Sequence, residues 1–129
     1  MQIKHVLIKV DDQDKALSFY TDVLGFRKNL DLGMGQFRWL TVVSPEGAHG
    51  VELVLETNSA PPSRAAQKTL YDAKFPAAVL TTDDIAGDYD RLTGRGVHFL
   101  SEPTYIGSVT TAFFDDTCGN VINLTQPKT

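Results

Sequence analysis

The sequence predicts an α+β domain made of two tandem strand–helix–strand–strand–strand units, which form a cupped mixed sheet with helices outside. The first observation is an apolar run that ends in two aspartates, found at residues 5–12 and again at 77–84. The second is a helical pattern closed by a glycine, Gly25 in one copy and Gly96 in the other. The shift between copies is 72 residues at the first landmark and 71 at the second, which indicates an internal duplication.

The first unit is expected to occupy residues 1 to about 57. Residues 3–10 are apolar and β-branched, which is typical of a strand, and Asp11 or Asp12 then offers a carboxylate to a helix start. The side chains that recur at helical spacing predict one buried stripe: Ala16, Leu17, Tyr20, Val23 and Leu24. Three more strands are expected, beginning at 26–28, over 37–43 and over 50–55, with turns at 33–35 and 44–47.

A linker is expected over about 58–73, because two prolines at its start forbid strand pairing, and residues 65–71 are expected to form a short helix. The second unit, about 74–129, repeats the order of the first. Its predicted elements are a strand at 75–82, a helix from Asp84 through Leu92, strands at 97–100, 110–115 and 121–125, and a turn at 116–120. Unpaired sheet edges favour a homodimer.

Composition indicates a globular protein and excludes several functional classes. The chain has 129 residues, of which 42% are hydrophobic and 22% charged, and its formal net charge is -4 without a basic stripe, so nucleic-acid binding is not expected. No apolar run approaches the ~20 residues of a membrane span, and the amino terminus lacks the apolar stretch of a signal peptide. A cytoplasmic location is therefore expected. Cys118 is the single cysteine, which excludes an intramolecular disulfide and a zinc–thiolate cage.

Two segments carry a family resemblance. FYTDVLGF at 19–26 resembles a helix end of the glyoxalase/bleomycin resistance/extradiol dioxygenase (vicinal oxygen chelate) superfamily. DTCGNVINL at 116–124 resembles the closing turn and strand of the same superfamily. The likeness covers nearly the whole chain in the right order. It implies the fold of that superfamily and a small-molecule site in the cup of the sheet, and it is far less specific for activity.

The resemblance also implies four positions for metal ligands, which here are His5, Glu52, Ala77 and Asn123. Because strand side chains alternate, His5 and Glu52 are expected to look into a common cup, where they are good ligands for Zn, Ni, Mn or Fe. Ala77 has no donor atom, and Asn123 offers only a neutral amide oxygen. The expected set of His5, Glu52 and Asn123 is thus a degenerate metal site, and the missing second histidine disfavours an extradiol dioxygenase.

Aromatic side chains predict the walls of a small-molecule pocket. Phe37 and Trp39 share one face of their strand, and Phe113 lies in a strand of the second copy. Lys9 should face the same way as His5, where it can bind an anionic ligand, pair with Glu52 or extend into water.

Three functions are compatible with these features. A metal-dependent lyase or isomerase of the glyoxalase type would polarise a substrate oxygen, with Glu52 as ligand or proton-transfer base. A metal-free protein, like the drug-sequestering bleomycin-resistance members, would hold a small organic molecule in the cup. The third is an interaction module without a small ligand. The degenerate metal site and the acidic net charge favour the second, and His49 and His98 are expected to be ordinary surface or hydrogen-bonded histidines.

Overall fold

The structure is a computed structural model that describes residues 1–47 and 50–128, so His49 lies outside the described residues. The chain divides into two compact units, Met1–Ala65 and Ala66–Thr129. Two four-stranded mixed sheets, one in each unit, and three helices confirm the predicted α+β class. None of the helices within the described residues is long and apolar enough to cross a membrane.

The sheet of the first unit combines one parallel and two antiparallel pairings. Its strands lie side by side in the order β1 (His5–Val10), β4 (Glu52–Thr57), β3 (Phe37–Val43) and β2 (Arg27–Met34). The pair β1–β4 is parallel and the other two are antiparallel. Helix α1 (Gln13–Ser18) begins at Asp12, whose side chain accepts a hydrogen bond from the backbone N–H of Lys15.

A π-helical turn, Phe19–Val23, follows α1 directly. Within it the backbone N–H of Leu24 donates to the carbonyl of Phe19, five residues back, at 3.0 Å. Gly25 then ends the helix with φ +91°, a left-handed conformation that glycine adopts without steric cost.

The π-helical turn explains the one-residue slip between the two copies. Thirteen positions separate the helix-capping Asp12 from Gly25, whereas twelve separate Asp84 from Gly96. The helix of the second copy, α3 (Ile85–Gly94), is a regular α-helix. A π-helix takes up one residue more per turn than an α-helix, so this turn accommodates the extra residue of the first copy.

The segment predicted as a linker is mostly helical. Helix α2 (Pro61–Asp72) contains the expected 65–71 and extends it at the amino-terminal end. Its two prolines stand at the first helical positions, where a missing backbone N–H costs nothing because those donors have no partner within the helix.

The second unit repeats the strand order of the first. Its strands lie in the order β5 (Pro76–Thr81), β8 (Val121–Pro127), β7 (Val109–Asp115) and β6 (Thr104–Ile106). The pair β5–β8 is parallel, and β8–β7 and β7–β6 are antiparallel. Helix α3 begins at Asp84, whose side chain accepts from the backbone N–H of Gly87.

The strand predicted at 97–100 is wrong. Only an isolated bridge joins Phe99 to Phe114, and the strand beside β7 is β6, further along the chain. Residues 101–103 interrupt this edge, and they include Pro103, which has no N–H to donate to a ladder. The side chain of His98, in the interrupted stretch, is exposed as expected.

Alternation along the strands of the first unit separates a core face from a second face. The buried apolar residues of the core face are Ile8, Val10, Ala16, Phe19, Tyr20, Leu40, Val42 and Leu55, whereas the predicted Leu17, Val23 and Leu24 are only half-buried. The alternate positions form the opposite face, here called the helix-free face: His5, Leu7, Lys9, Phe37, Trp39, Thr41, Glu52, Val54 and Glu56. Strand register places these residues side by side, with His5 beside Glu52 and Thr41 beside Val54.

Candidate functional site

Glu52 is the buried centre of the helix-free face. It is the first residue of β4, its register partner on β1 is His5, and only 4% of its surface is exposed. The Nε2 atom of His5 lies 3.6 Å from Oε2 of Glu52. The structure therefore brings together the imidazole and the carboxylate that the sequence analysis assigned to one face.

Both oxygens of the Glu52 carboxylate are engaged by polar groups of the same unit. Oε1 accepts hydrogen bonds from Nδ2 of Asn29 and from Oγ1 of Thr41, each at 2.7 Å. Oε2 forms an ion pair with the ammonium of Lys4 at 3.2 Å. Asn29 reaches the carboxylate from a β-bulge in β2, where the pairing with β3 shifts between Lys28 and Leu30.

This environment keeps Glu52 ionised. Hydrogen bonds from Thr41 and Asn29 favour the charged form and lower the pKa of Glu52 to about 2; burial acts in the opposite direction, and Lys4 adds to the lowering. A general base works best with a pKa near the operating pH, so a carboxylate this acidic is a weak proton acceptor at neutral pH. The arrangement therefore disfavours proton abstraction by Glu52.

The low pKa of Glu52 predicts a loss of stability in acid. The folded-state pKa lies below the unfolded value of 4.5, so the contribution is fully present above about pH 4.5 and declines as the pH falls towards 2. We expect the difference in unfolding free energy between wild type and Glu52→Gln to shrink over this window, measured by urea unfolding. A difference that stays constant from pH 6 to pH 2 would contradict the assignment.

Glu52 and its contacts Lys4, His5, Asn29 and Thr41 form a polar cluster, and exposed apolar side chains lie on the same sheet. Register places Leu32 of β2 beside Trp39 and Met34 beside Phe37, and Leu7 on β1 is a further exposed apolar side chain of the same face. These five residues are here called the apolar surface. Phe37 is 70% exposed, whereas Trp39 is half-buried. The ring of His5 meets that of Trp39 edge to face, with centroids 5.2 Å apart and an interplanar angle of 74°. The apolar surface and the polar cluster thus meet at the contact between His5 and Trp39.

A second charged pair lies at the far end of the same face. The ammonium of Lys9 pairs with Oε1 of Glu56 at 3.1 Å, not with Glu52, and Oε2 of Glu56 is buried without a hydrogen-bond partner among the described residues. Lys9 follows His5 by four strand positions, which corresponds to roughly 13 Å. Leu7 lies between them, so two polar ends bracket an apolar middle.

In the second unit, considered by itself, the corresponding positions do not provide metal ligands. Asn123 has Phe113 and Val79 as its strand neighbours, and its Oδ1 already accepts a hydrogen bond from the Thr125 hydroxyl at 2.9 Å. Pairing of β5 shifts between Pro76 and Ala78, so Val79 and not the predicted Ala77 stands beside Asn123. Neither Val79 nor Ala77 has a side-chain atom that could bind a metal. Phe113 is half-buried.

These residues do not fit the metal centre that the resemblance implies. Across residues 1–47 and 50–128, no group of three or more histidine, cysteine, aspartate or glutamate side chains could hold a metal ion. His5 and Glu52 are good metal ligands that lie close together. The Glu52 oxygen nearest His5, Oε2, already forms an ion pair with Lys4. No chemical step through a metal follows from this geometry.

Three residues that contact Glu52 were not predicted from the sequence: Lys4, Asn29 and Thr41. Two left a signal. Thr41 alternates in phase with Trp39 and so shares its face, and an asparagine inside a strand pattern indicates an irregular position such as a bulge. Lys4 precedes the first strand and gave no signal of its contact with Glu52.

Comparison with known proteins identifies close relatives over the full length. The sequence model of the Glyoxalase/Bleomycin resistance protein/Dioxygenase superfamily matches residues 2–124. The protein YurT of Bacillus subtilis is 48% identical over 126 residues, which cover 98% of this chain and 99% of YurT.

Two other similar proteins have names that describe an activity. TnmS3, described as an antibiotic binding protein from Streptomyces sp. CB03234, has a crystal structure that superposes with a TM-score of 0.78 at 33% identity, over 99% of this chain and 97% of that chain. A Synechocystis sp. protein named "probable lactoylglutathione lyase" is 28% identical over 130 residues, covering 98% of this chain and 95% of the relative.

Proposed function

The chain belongs to the glyoxalase/bleomycin resistance protein/dioxygenase superfamily, and we propose that within it the protein binds a small organic molecule without a metal. The ligand would lie on the helix-free face of the first unit. The observation that carries this proposal is the apolar surface beside Glu52, a carboxylate whose two oxygens are already paired within the chain.

The chemistry of the face favours a flat, partly aromatic ligand. Burying a Leu or Phe side chain completely contributes about 1.5–3 kcal/mol, and Leu7, Met34 and Phe37 are all largely exposed. Trp39 offers an aromatic surface already in contact with His5, and aromatic ligands gain from stacked or edge-to-face contacts with such a pair. The pair of Lys9 and Glu56 would hold a polar group at the far end.

The similarity to TnmS3 supports the same class of ligand. That protein is described as antibiotic-binding, and its chain and this one share the fold over nearly their full lengths. We therefore propose that this protein sequesters an antibiotic-like molecule and does not convert it. The predicted homodimer and the cytoplasmic location stay predictions.

Trp39 allows a direct test, because it is the single tryptophan of the chain. We expect titration with bleomycin or with an anthracycline to change its fluorescence in a saturable way, with one ligand per chain. Phe37→Ser should weaken binding about tenfold by calorimetry, equivalent to about 1.4 kcal/mol, because it removes apolar contact area.

Leu70→Ser is the matched control, since Leu70 is an exposed apolar residue on α2 and not on the helix-free face. It should leave ligand affinity unchanged. Equal losses of ligand affinity in Phe37→Ser and Leu70→Ser would count against the proposed site. So would the absence of saturable binding of both bleomycin and the anthracycline.

A metal-dependent lyase is the second candidate, favoured by the name of the Synechocystis relative and by the meeting of His5 with Glu52. An assay of lactoylglutathione turnover with and without added Ni²⁺ or Zn²⁺ separates the two candidates. Turnover that depends on the added metal and is lost in Glu52→Gln would favour the lyase over the binding protein.

A further inference from the structure

We infer that the ammonium of Lys4 takes the place of a divalent cation at Glu52, so that the chain itself supplies the counter-charge at the family's metal position. Lys4 Nζ and His5 Nε2 lie 3.2 Å and 3.6 Å from the same carboxylate oxygen, Oε2. An ion held by His5 and Glu52 would need that oxygen and would meet the positive charge of Lys4 there. The inference concerns the unliganded chain and does not depend on the proposed small-molecule ligand.

The other carboxylate oxygen offers no alternative. Oε1 accepts from two neutral donors, and one of them, Thr41, is completely buried, so this oxygen is held within the sheet. An amide and a hydroxyl use up its lone pairs without neutralising the charge of the carboxylate. The negative charge must therefore be compensated at Oε2, and in this chain the ammonium of Lys4 contacts that oxygen.

The backbone holds Lys4 beside Glu52. The N–H of Glu52 donates to the carbonyl of Lys4 at 2.8 Å, which continues the parallel ladder between β1 and β4 by one position. The lysine stem therefore starts next to the carboxylate that its ammonium contacts. About half of the Lys4 side chain is exposed, so replacing it changes the charge at Oε2 without opening the core.

Lys4→Met tests this inference, because methionine keeps the length of the stem and removes the charge. We expect Ni²⁺ and Zn²⁺ to bind Lys4→Met at least about tenfold more tightly than wild type by calorimetry at neutral pH. The same ions should raise the melting temperature of Lys4→Met and leave that of wild type unchanged. A second substitution, His5→Ala in the Lys4→Met background, should abolish both effects.

Two lysine variants are the controls. Lys4→Arg keeps the positive charge and should bind the ions no better than wild type. Lys9→Met removes the lysine of the helix-free face, whose ion-pair partner is Glu56, and should also behave like wild type.

Two outcomes overturn the inference: Lys4→Met binding Ni²⁺ no more tightly than wild type, or Lys4→Arg gaining as much affinity for Ni²⁺ as Lys4→Met. If Lys4→Met unfolds in metal-free buffer, recovery of folding with Ni²⁺ or with the added Glu52→Gln substitution supports the inference. Failure of both rescues overturns it. These results are independent of the fluorescence titrations, so either proposal can fail while the other stands.

Discussion

Replacing Glu52 with alanine is expected to lower the free energy of unfolding by about 3 kcal/mol, although the residue lies on the helix-free face and not in the helix-side core. The substitution removes the acceptor of the Asn29 amide and of the completely buried Thr41 hydroxyl, and it leaves Lys4 without its carboxylate. A buried donor without a partner, which the Thr41 hydroxyl would become, costs about 1–3 kcal/mol, and this is larger than the net gain of a typical hydrogen bond. Urea unfolding at neutral pH, followed by circular dichroism, measures the loss.

Glu56→Ala is the matched comparison on the same strand and face. Within residues 1–47 and 50–128 its carboxylate forms an ion pair with Lys9, and both side chains are more than one-third exposed, so the cost should stay below about 1 kcal/mol. The difference between the two variants isolates the effect of burial and of the two neutral donors. Equal costs for Glu52→Ala and Glu56→Ala would mean that the polar cluster contributes nothing beyond an ordinary surface ion pair.

Much of the fold was predictable, because local rules agree with each other along the chain. The aspartates that cap the helices, the glycines that end them and the alternation of β1 each point to the same unit, and the duplication repeats the evidence. The strand at 97–100 failed for a physical reason. Its apolar residues fit a strand, but the proline three residues later breaks the ladder, and pairing resumes only at Thr104–Ile106.

The candidate site was predictable only in part, because its residues depend on register and irregularity. His5 and Glu52 follow from strand alternation together with the family resemblance. Asn29 reaches Glu52 through a bulge, and Lys4 reaches it from outside the strand, neither of which a period-2 pattern contains. In the second unit a register shift places Val79 beside Asn123 in place of Ala77.

The two copies differ in the chemistry of the parallel strand pair that each sheet contains, β1–β4 in the first and β5–β8 in the second. The first copy keeps a charged cluster on its helix-free face, at the pair His5 and Glu52. In the second copy Asn123 stands beside Val79 on β5, and its amide, bonded to a neighbouring threonine, takes the place of the carboxylate. The duplicated unit therefore conserves a scaffold and varies the chemistry at one pair of neighbouring strand positions, which is how one fold can serve unrelated ligands.

Asp116→Ala is expected to destabilise the chain by about 4 kcal/mol, the largest loss that we predict for a single side chain. Asp116 is completely buried in the turn between β7 and β8. Its carboxylate accepts from the backbone N–H groups of Cys118 at 2.7 Å and Asn120 at 3.0 Å, and from the Asn120 amide at 2.8 Å. Alanine would remove the buried acceptor that these three donors share.

The same turn contains two residues with positive φ, Thr117 at 65° and Gly119 at 99°. A β-branched residue rarely adopts this conformation, so the bonds to Asp116 offset local strain and hold the start of β8, the strand that carries Asn123. Faster hydrogen exchange at the backbone amides of Cys118 and Asn120 in Asp116→Ala would localise the loss to this turn. The exposed Asp83→Ala in the same unit should change stability by less than about 0.5 kcal/mol, and comparable losses in the two variants would contradict this account.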